Sequence, residues 1–347
     1  MPERHTKQSS RMNLGKLAAA GVGVALGLRA LVRSRISFQD KTVLITGGTR
    51  GLGLLLARGF LKEGARVVIC GREESTLERA RTELESLGGE VLAVPCDVTD
   101  PVQVEAMVSS VHERFGAVDV LVNNAGIIQT GPLESMTLED FEEAIDTHFW
   151  GPLYTTLAVL PEMKRRGAGR IVNISSIGGK VSVPHMVPYS ASKFALVGLS
   201  DGMRAELAQD GIQVTTVCPG LMRTGSPRNA TFKGDHEKEY AWFYVCGSLP
   251  GLSLNAERAG RRIIEACRRG DAEVLVGLPA KMGAVARALA PNLTAALLAY
   301  VNRMLPQGSQ TERHRGDESE TPLTRSWLTE LSRKAARRNN ETEVPIH

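Results

Sequence analysis

The sequence predicts a doubly wound α/β fold, a parallel sheet of about seven strands with helices on both faces, and three observations carry the expectation. Short, β-branched, almost continuously apolar runs alternate with helix-length segments from about Lys41 to Leu278. Strands read this way when crossover helices cover both faces of a parallel sheet. The first run leads into the glycine-rich turn Thr46-Gly-Gly-Thr-Arg-Gly-Leu-Gly53 and then into the apolar stretch Leu54 to Leu61. The composition, 42% hydrophobic and 23% charged over 347 residues with net charge +4, suits a globular chain with a large core. It excludes fibrous, fully disordered and polytopic membrane classes.

The elements follow in order. Residues 1–37 form an N-terminal arm, whose first 35 residues carry seven Lys or Arg and one acid around the apolar stretch Leu17 to Leu28. That stretch falls short of the ~20 residues of a spanning helix. A docked or disordered arm, a membrane anchor (with residues 14–32 at a membrane surface) and a signal peptide all remain open, although no small-residue cleavage site follows Leu28. Residues 38–278 form the α/β domain, with strands expected at 41–46, 66–70, 91–95, 118–123, 170–175, 212–217 and 273–276. Thr137-Leu-Glu-Asp140 has the pattern of a capping box opening a helix. Residues 279–305 read as two apolar-rich helices separated by Pro291. Residues 306–347 are polar and mixed in charge, and read as a disordered tail with one amphipathic segment near Leu323, Trp327, Leu328 and Leu331.

Five scattered cysteines offer neither metal-ligand nor redox-dithiol spacing and fit a reducing, cytoplasmic setting. The mild basicity is spread over Arg-rich and acidic segments alike, with 5% aromatics, and gives no footprint for nucleic acid.

The chemistry concentrates at strand ends. Gly47, Gly51 and Gly53 let the backbone turn sharply and approach a pyrophosphate at the positive end of the following helix. The strand before and the helix after make this pattern specific. The second strand ends at Cys70-Gly-Arg72, without the acid that would accept the adenosine ribose hydroxyls. Arg72, with Arg50 in the turn, suits a 2′-phosphate instead, so NADP(H) is expected rather than NAD. Cys96-Asp97-Val98 and Asn123-Asn124-Ala125-Gly126 follow the next two strands, and Asn173-Ile-Ser-Ser176 the one after. Tyr189 lies thirteen residues beyond Ser176, with Lys193 four residues further on. One helical turn puts Tyr189 and Lys193 on one face, where an ammonium lowers the phenol pKa for proton exchange with a carbonyl or alcohol.

With these motifs in this order, the chain from about Lys41 to Leu278 resembles the short-chain dehydrogenase/reductases, in their compact single-domain branch with a Rossmann-like fold. The resemblance implies that Ser176 orients the substrate oxygen, Tyr189 is the general acid/base, and Lys193 holds the nicotinamide ribose and tunes the tyrosine. It implies that Gly47, Thr49, Arg50, Gly51, Leu52 and Gly53 cradle the cofactor phosphates and that Asp97 and Val98 flank the adenine. Asn123, Ala125 and Gly126 would then line the cofactor cleft. Pro219-Gly220, with Thr224 five residues on, resembles the family's turn over the nicotinamide, Thr224 bonding the carboxamide. A homodimer or homotetramer is also implied. One position departs: where the family usually has an asparagine that anchors a water linked to the lysine, alignment on Phe149-Trp-Gly-Pro152 places His148. A relay role, with titration near neutrality, and a buried spacer role are both open for it.

The expected activity is hydride transfer between NADPH and a carbonyl or secondary alcohol. Phe232, Trp242, Phe243, Tyr244 and Leu249 make residues 224–255 apolar over the substrate, with Gly225, Gly247 and Gly251 as hinges, which suits a hydrophobic, steroid-like or lipid-like ketone. The alternative is an NADP-binding regulatory or scaffold protein with little turnover, favoured by His148 and opposed by the intact Ser176, Tyr189 and Lys193.

Overall fold

The computed structural model describes residues 35–342, and expectations for the N-terminal arm before residue 35 lie outside them. From Ile36 on, the described residues form one compact unit. Its frame is a seven-stranded sheet: β1 (Thr42–Thr46), β2 (Arg66–Gly71), β3 (Val91–Pro95), β4 (Val120–Asn123), β5 (Gly169–Ile174), β6 (Ile212–Pro219) and β7 (Glu273–Val276). Every pairing is parallel and the spatial order is 3-2-1-4-5-6-7. The order reverses beside β1, and the crevice outside the strand ends at such a switch point is where this architecture holds ligands.

On one face pack α1 (Gly51–Lys62), α2 (Glu74–Ser86) and α8 (Ala256–Arg269), through Leu54, Phe60, Leu84 and Ile263, all fully buried. The other face is covered by α3 (Pro101–Phe115), α5 (Gly151–Arg166) and α6 (Val187–Leu207), through Met107, Val111, Val159 and Met163. Burying each such side chain contributes ~1.5 to 3 kcal/mol, so the two faces together fix the strand register that aligns the site loops. Local signals set the ends. Asp100 caps α3 by accepting from Val102 and Gln103 N–H, with Pro101 in the first turn. Thr137 and Asp140 form the expected capping box of α4 (Leu138–Ile145). Cys70, Cys96, Cys218 and Cys267 are buried free thiols.

Beyond the sheet, α7 (His236–Ser248) lies over the strand ends, and α9 (Leu278–Leu289) and α10 (Pro291–Asn302) form the expected helical pair. Among the described residues no helix is long and apolar enough to cross a membrane.

The tail corrects the sequence reading. Residues 306–342 are laid along the domain, not disordered: His314–Arg315 pairs antiparallel with Thr231–Phe232, and α11 (Glu330–Arg338) buries Ala335 and Ala336. Arg313 donates to Asp140 at 2.8 Å and to Glu143 at 3.0 Å, Glu320 meets Arg228, and Ser248 donates to Ser332 at 2.8 Å. A low apolar content hid this, because polar pairs with residues far away in sequence anchor the segment, and no local period reports them.

Candidate active site

Ser176 follows β5 in extended backbone, and its Oγ accepts from Gly178 N–H at 3.0 Å, capping the short turn Ile177–Gly179. The first turn of α6 then brings the Tyr189 hydroxyl beside the Ser176 side chain, which draws its pKa down against the larger effect of burial. Lys193, one turn on, is 4% exposed, and its Nζ donates to Ile174 O at 3.0 Å and lies 5.7 Å from the Tyr189 ring centroid. The predicted Ser176, Tyr189 and Lys193 are therefore together.

Their electrostatics differ from the sequence expectation. Burial is the first cause at both groups: it pushes the Tyr189 phenol up and pulls the Lys193 ammonium down to about 7. The lysine does not lower the phenol in this state, because desolvation outweighs a charge held toward the Ile174 carbonyl.

His148 is corrected too. It sits in a π-helical turn, Asp146–Trp150, between α4 and α5, and is 1% exposed. Ile127 N–H donates to Nε2 at 3.1 Å, so Nδ1 carries the ring proton and donates to Ser192 Oγ at 2.8 Å. Ser192 in turn donates to the Tyr189 carbonyl at 2.8 Å. With both nitrogens engaged by protein, none is left to anchor a relay water. Burial first, then the Lys193 charge, hold the ring well below the ordinary histidine pKa. His148 thus positions Tyr189 through Ser192. Wild-type kcat is expected to show no histidine inflection between about pH 6 and 7.5. His148→Leu, which strands the Ile127 N–H, should cost ~1 to 3 kcal/mol in chemical denaturation. A wild-type inflection in that range that His148→Asn removes would restore the relay.

The glycine turn builds a cradle. A Cβ on Gly53 would meet Gly47 O at 2.1 Å and one on Gly47 would meet Ala125 Cα at 2.9 Å, so neither position admits a side chain. A cavity of about 330 Å³ opens over the cradle, and Gly47, Thr49, Arg50, Gly51, Leu52, Arg72, Asp97, Val98, Ala125 and Gly126 line it. Gly53 and Asn123 do not line it: Gly53 packs beneath the turn against Gly47 O, and Asn123 is buried behind the cleft, donating to Asn173 Oδ1 at 2.9 Å and accepting from Thr155 at 2.6 Å. Its neighbour Asn124 lines the cavity instead and donates to Thr46 O and Gly47 O at 3.0 and 3.1 Å, pinning the turn. Strand alternation, which sends adjacent side chains to opposite faces, was the signal that separates the two. Arg72 pairs loosely with Asp97 at 3.7 Å and its side chain is 66% exposed. Arg50 donates to Asn229 at 3.2 Å and lies 3.8 Å from Glu341, a tail residue that also lines this cavity.

A second cleft of about 510 Å³ meets the first at Leu52, Asn124 and Gly126 and holds Ser176, Tyr189, Lys193, His148, Pro219, Gly220 and Thr224. Its outer wall is apolar, including Met186, Leu221, Trp242, Phe243 and Leu252. Phe232 and Tyr244, expected there, pack instead in an aromatic core with Tyr240. Leu249 lies outside the wall as well. The sequence reading missed Glu239. It is fully buried on α7, accepts from Trp242 Nε1 at 2.7 Å and lies 2.7 Å from His185 Nδ1, tying the α7 wall to the segment before Tyr189.

Comparison with known proteins agrees with this geometry. The family model described as short chain dehydrogenase matches residues 41–233. Dehydrogenase/reductase SDR family member 7B of Danio rerio is 34% identical over 291 residues, covering 81% of this chain and 93% of the relative. A putative ketoacyl reductase of Streptomyces coelicolor is 45% identical over 189 residues, 54% of this chain and 72% of that one. Among solved structures, a gluconate 5-dehydrogenase from Burkholderia cenocepacia in complex with NADP and tartrate superposes with TM-score 0.63 at 29% identity, covering 73% of this chain and 99% of that one. The family match, the relatives and the sheet order place this chain in the short-chain dehydrogenase/reductase family, oxidoreductases acting on CH–OH and C=O groups.

Proposed function

We propose that this protein is an NADPH-dependent carbonyl reductase acting on hydrophobic, lipid-like or steroid-like ketones. One observation carries the reading: Ser176 and Tyr189 sit where an apolar cleft meets the glycine cradle. The cradle fits a dinucleotide, because glycines at positions that admit no Cβ let the turn close tightly and the N-terminus of α1 opens into the cavity. Arg50 and Arg72 border the cavity and no acid ends β2, which favours a 2′-phosphate.

Bound NADPH supplies the hydride, from its nicotinamide C4, to the carbonyl carbon. The chain supplies the rest. Ser176 orients the carbonyl oxygen, and Tyr189 gives that oxygen its phenolic proton as the alcohol forms. Lys193, close to the phenol and charged at and below about pH 7, favours the phenolate left behind. The apolar wall from Met186 to Leu252 excludes water and selects a hydrophobic body over a sugar.

A screen of aliphatic, steroidal and sugar carbonyls, followed by nicotinamide absorbance, tests the reading. Turnover confined to polar sugars would overturn the substrate class. NADPH bound with no carbonyl reduced would favour the regulatory alternative. For cofactor choice, Arg72→Ala is expected to weaken NADPH by about one decade, the low end for a lost charge-assisted pair because the side chain is largely exposed, and to leave NADH nearly unchanged. Isothermal titration with both cofactors checks it, and equal weakening of the two would contradict it.

A further inference from the structure

The helical pair after β7 leaves a long apolar face uncovered. On α9, Leu278, Met282, Val285 and Leu289 are 54 to 80% exposed, and on α10 and just past it Leu293, Leu297, Tyr300 and Met304 are 59 to 65% exposed apart from Leu293 at 71%. In each helix the four positions fall at i, i+4, i+7 and i+11, a single stripe. The two helices pack on one another, and α9 is anchored by its small side, Ala280 and Gly283, the latter facing Val181 and Ile177. Between Glu273 and Glu312 the sequence has no acid and three cations, Lys281, Arg287 and Arg303. All three are exposed. The first turn of α9 also supplies Pro279 and Ala280 to the wall of the substrate cleft. The stripe therefore starts at the rim of that cleft.

We propose that α9 and α10 form a monotopic docking surface for an anionic lipid bilayer, seating the cleft where a lipid-like ketone can pass directly from membrane to active site. An apolar stripe flanked by cations without acids is complementary to the acyl-headgroup boundary of such a bilayer. A second copy would set the same three cations against Lys281, Arg287 and Arg303, so charge disfavours self-association on this face. The purpose assigned to the surface rests on the apolar-substrate reading; the surface itself does not.

The test uses the full chain with Leu297→Trp, and Val102→Trp on α3, 72% exposed at its native valine, as the control. Both are mixed with vesicles of brominated phosphatidylcholine and phosphatidylglycerol, and with phosphatidylcholine alone. Most of the added emission of Leu297→Trp is expected to be quenched on the anionic vesicles, less so at high salt, while Val102→Trp stays bright. Vesicle binding that leaves Leu297→Trp unquenched would overturn the proposal, as would a solution dimer dissociated by Leu297→Glu. Neither readout involves turnover, so the result stands apart from the substrate reading.

A different observation carries a second inference. Residues 339–341 of the tail lie in the phosphate cradle: Gly51 N–H donates to Asn339 O at 2.9 Å, and Asn340 donates to Thr49 O at 2.9 Å. Glu341 is 6% exposed; its carboxylate accepts from Ser226 Oγ at 2.8 Å and Asn229 Nδ2 at 2.7 Å and stands 3.8 Å from Arg50. A Cβ built on Gly51 would lie 2.5 Å from that carboxylate, which thus fills the space over the helix N-terminus. We infer that residues 339–341 are an autoinhibitory plug whose carboxylate stands in for a cofactor phosphate and must leave when the dinucleotide binds.

In the full chain, Glu341→Ala should tighten NADPH about tenfold, the effect of removing charge-assisted bonds that compete for the site. Saturating NADPH should speed tryptic cleavage after Arg337 and Arg338 in wild type. Weaker NADPH binding in the variant, or cleavage slowed by NADPH, would make the tail part of the cofactor site, and unchanged binding would mean that the carboxylate does not compete; each would overturn the inference.

Discussion

Tyr189→Phe is expected to bind NADPH as wild type does and to turn over at least ~100-fold more slowly, the lower end for loss of a positioned proton donor. The ring packs edge-on against His148 at 5.4 Å between centroids, so phenylalanine keeps the packing and removes only the hydroxyl. Burial first, with Cys218 adding to it, holds the phenol up in the free protein. The rate of carbonyl reduction should therefore begin to fall from about pH 7 as Lys193 loses its charge, and fall again only above the ordinary tyrosine range as Tyr189 loses its proton. Steady-state kinetics with a ketone that wild type reduces, alongside cofactor titration, separates the two effects. Retained turnover would move the proton donor elsewhere.

Lys193→Met is expected to change the pH dependence of stability. Burial lowers the folded-state pKa of Lys193 to about 7 from 10.5. Between those values the unfolded chain binds a proton there that the folded chain does not, so the residue's contribution to stability rises with pH from about 7 to 10.5. Below about pH 7 both states are protonated and the penalty is constant. It is largest there, on the order of 3 to 5 kcal/mol for a shift of this size. Methionine, which fits the same slot uncharged, removes the penalty and loses the bond to Ile174 O. The stability of the variant minus that of wild type should therefore fall by a few kcal/mol from pH 7 to 10 in urea titrations, whatever its sign at pH 7. Parallel stability curves would mean that Lys193 keeps its charge when folded. The same variant should lose most of its turnover.

The sheet was legible because its signal is local and repeated. Each buried strand is an apolar run of the right length, so all seven strands could be placed from the pattern and Tyr189 paired with Lys193 from helical spacing, while the place of Ser176 beside them came from the family resemblance. What escaped depends on contacts between distant segments. Asn123 and Asn124 look interchangeable in sequence, yet the pleat sends one into the core and the other to the cleft. His148 reads as a titrating group until the Ile127 N–H and Ser192 hydroxyl are seen to use both nitrogens. Phe232 and Trp242 share a segment and an aromatic character, but only Trp242, held by Glu239, reaches the cleft. The tail was misread most, since polar composition says nothing about whether partners wait on the surface it crosses.

The central claim, hydride transfer to an apolar carbonyl at Tyr189, is tested most directly by isotope. Full-length protein is incubated with NADPH deuterated at the transferring C4 position and a panel of lipid-like ketones, and the products are read by mass spectrometry. The account predicts an alcohol carrying one deuterium on the former carbonyl carbon with wild type, and little or none with Tyr189→Phe. Bound NADPH with no labelled alcohol from any ketone, or equal labelling by the two proteins, would contradict it.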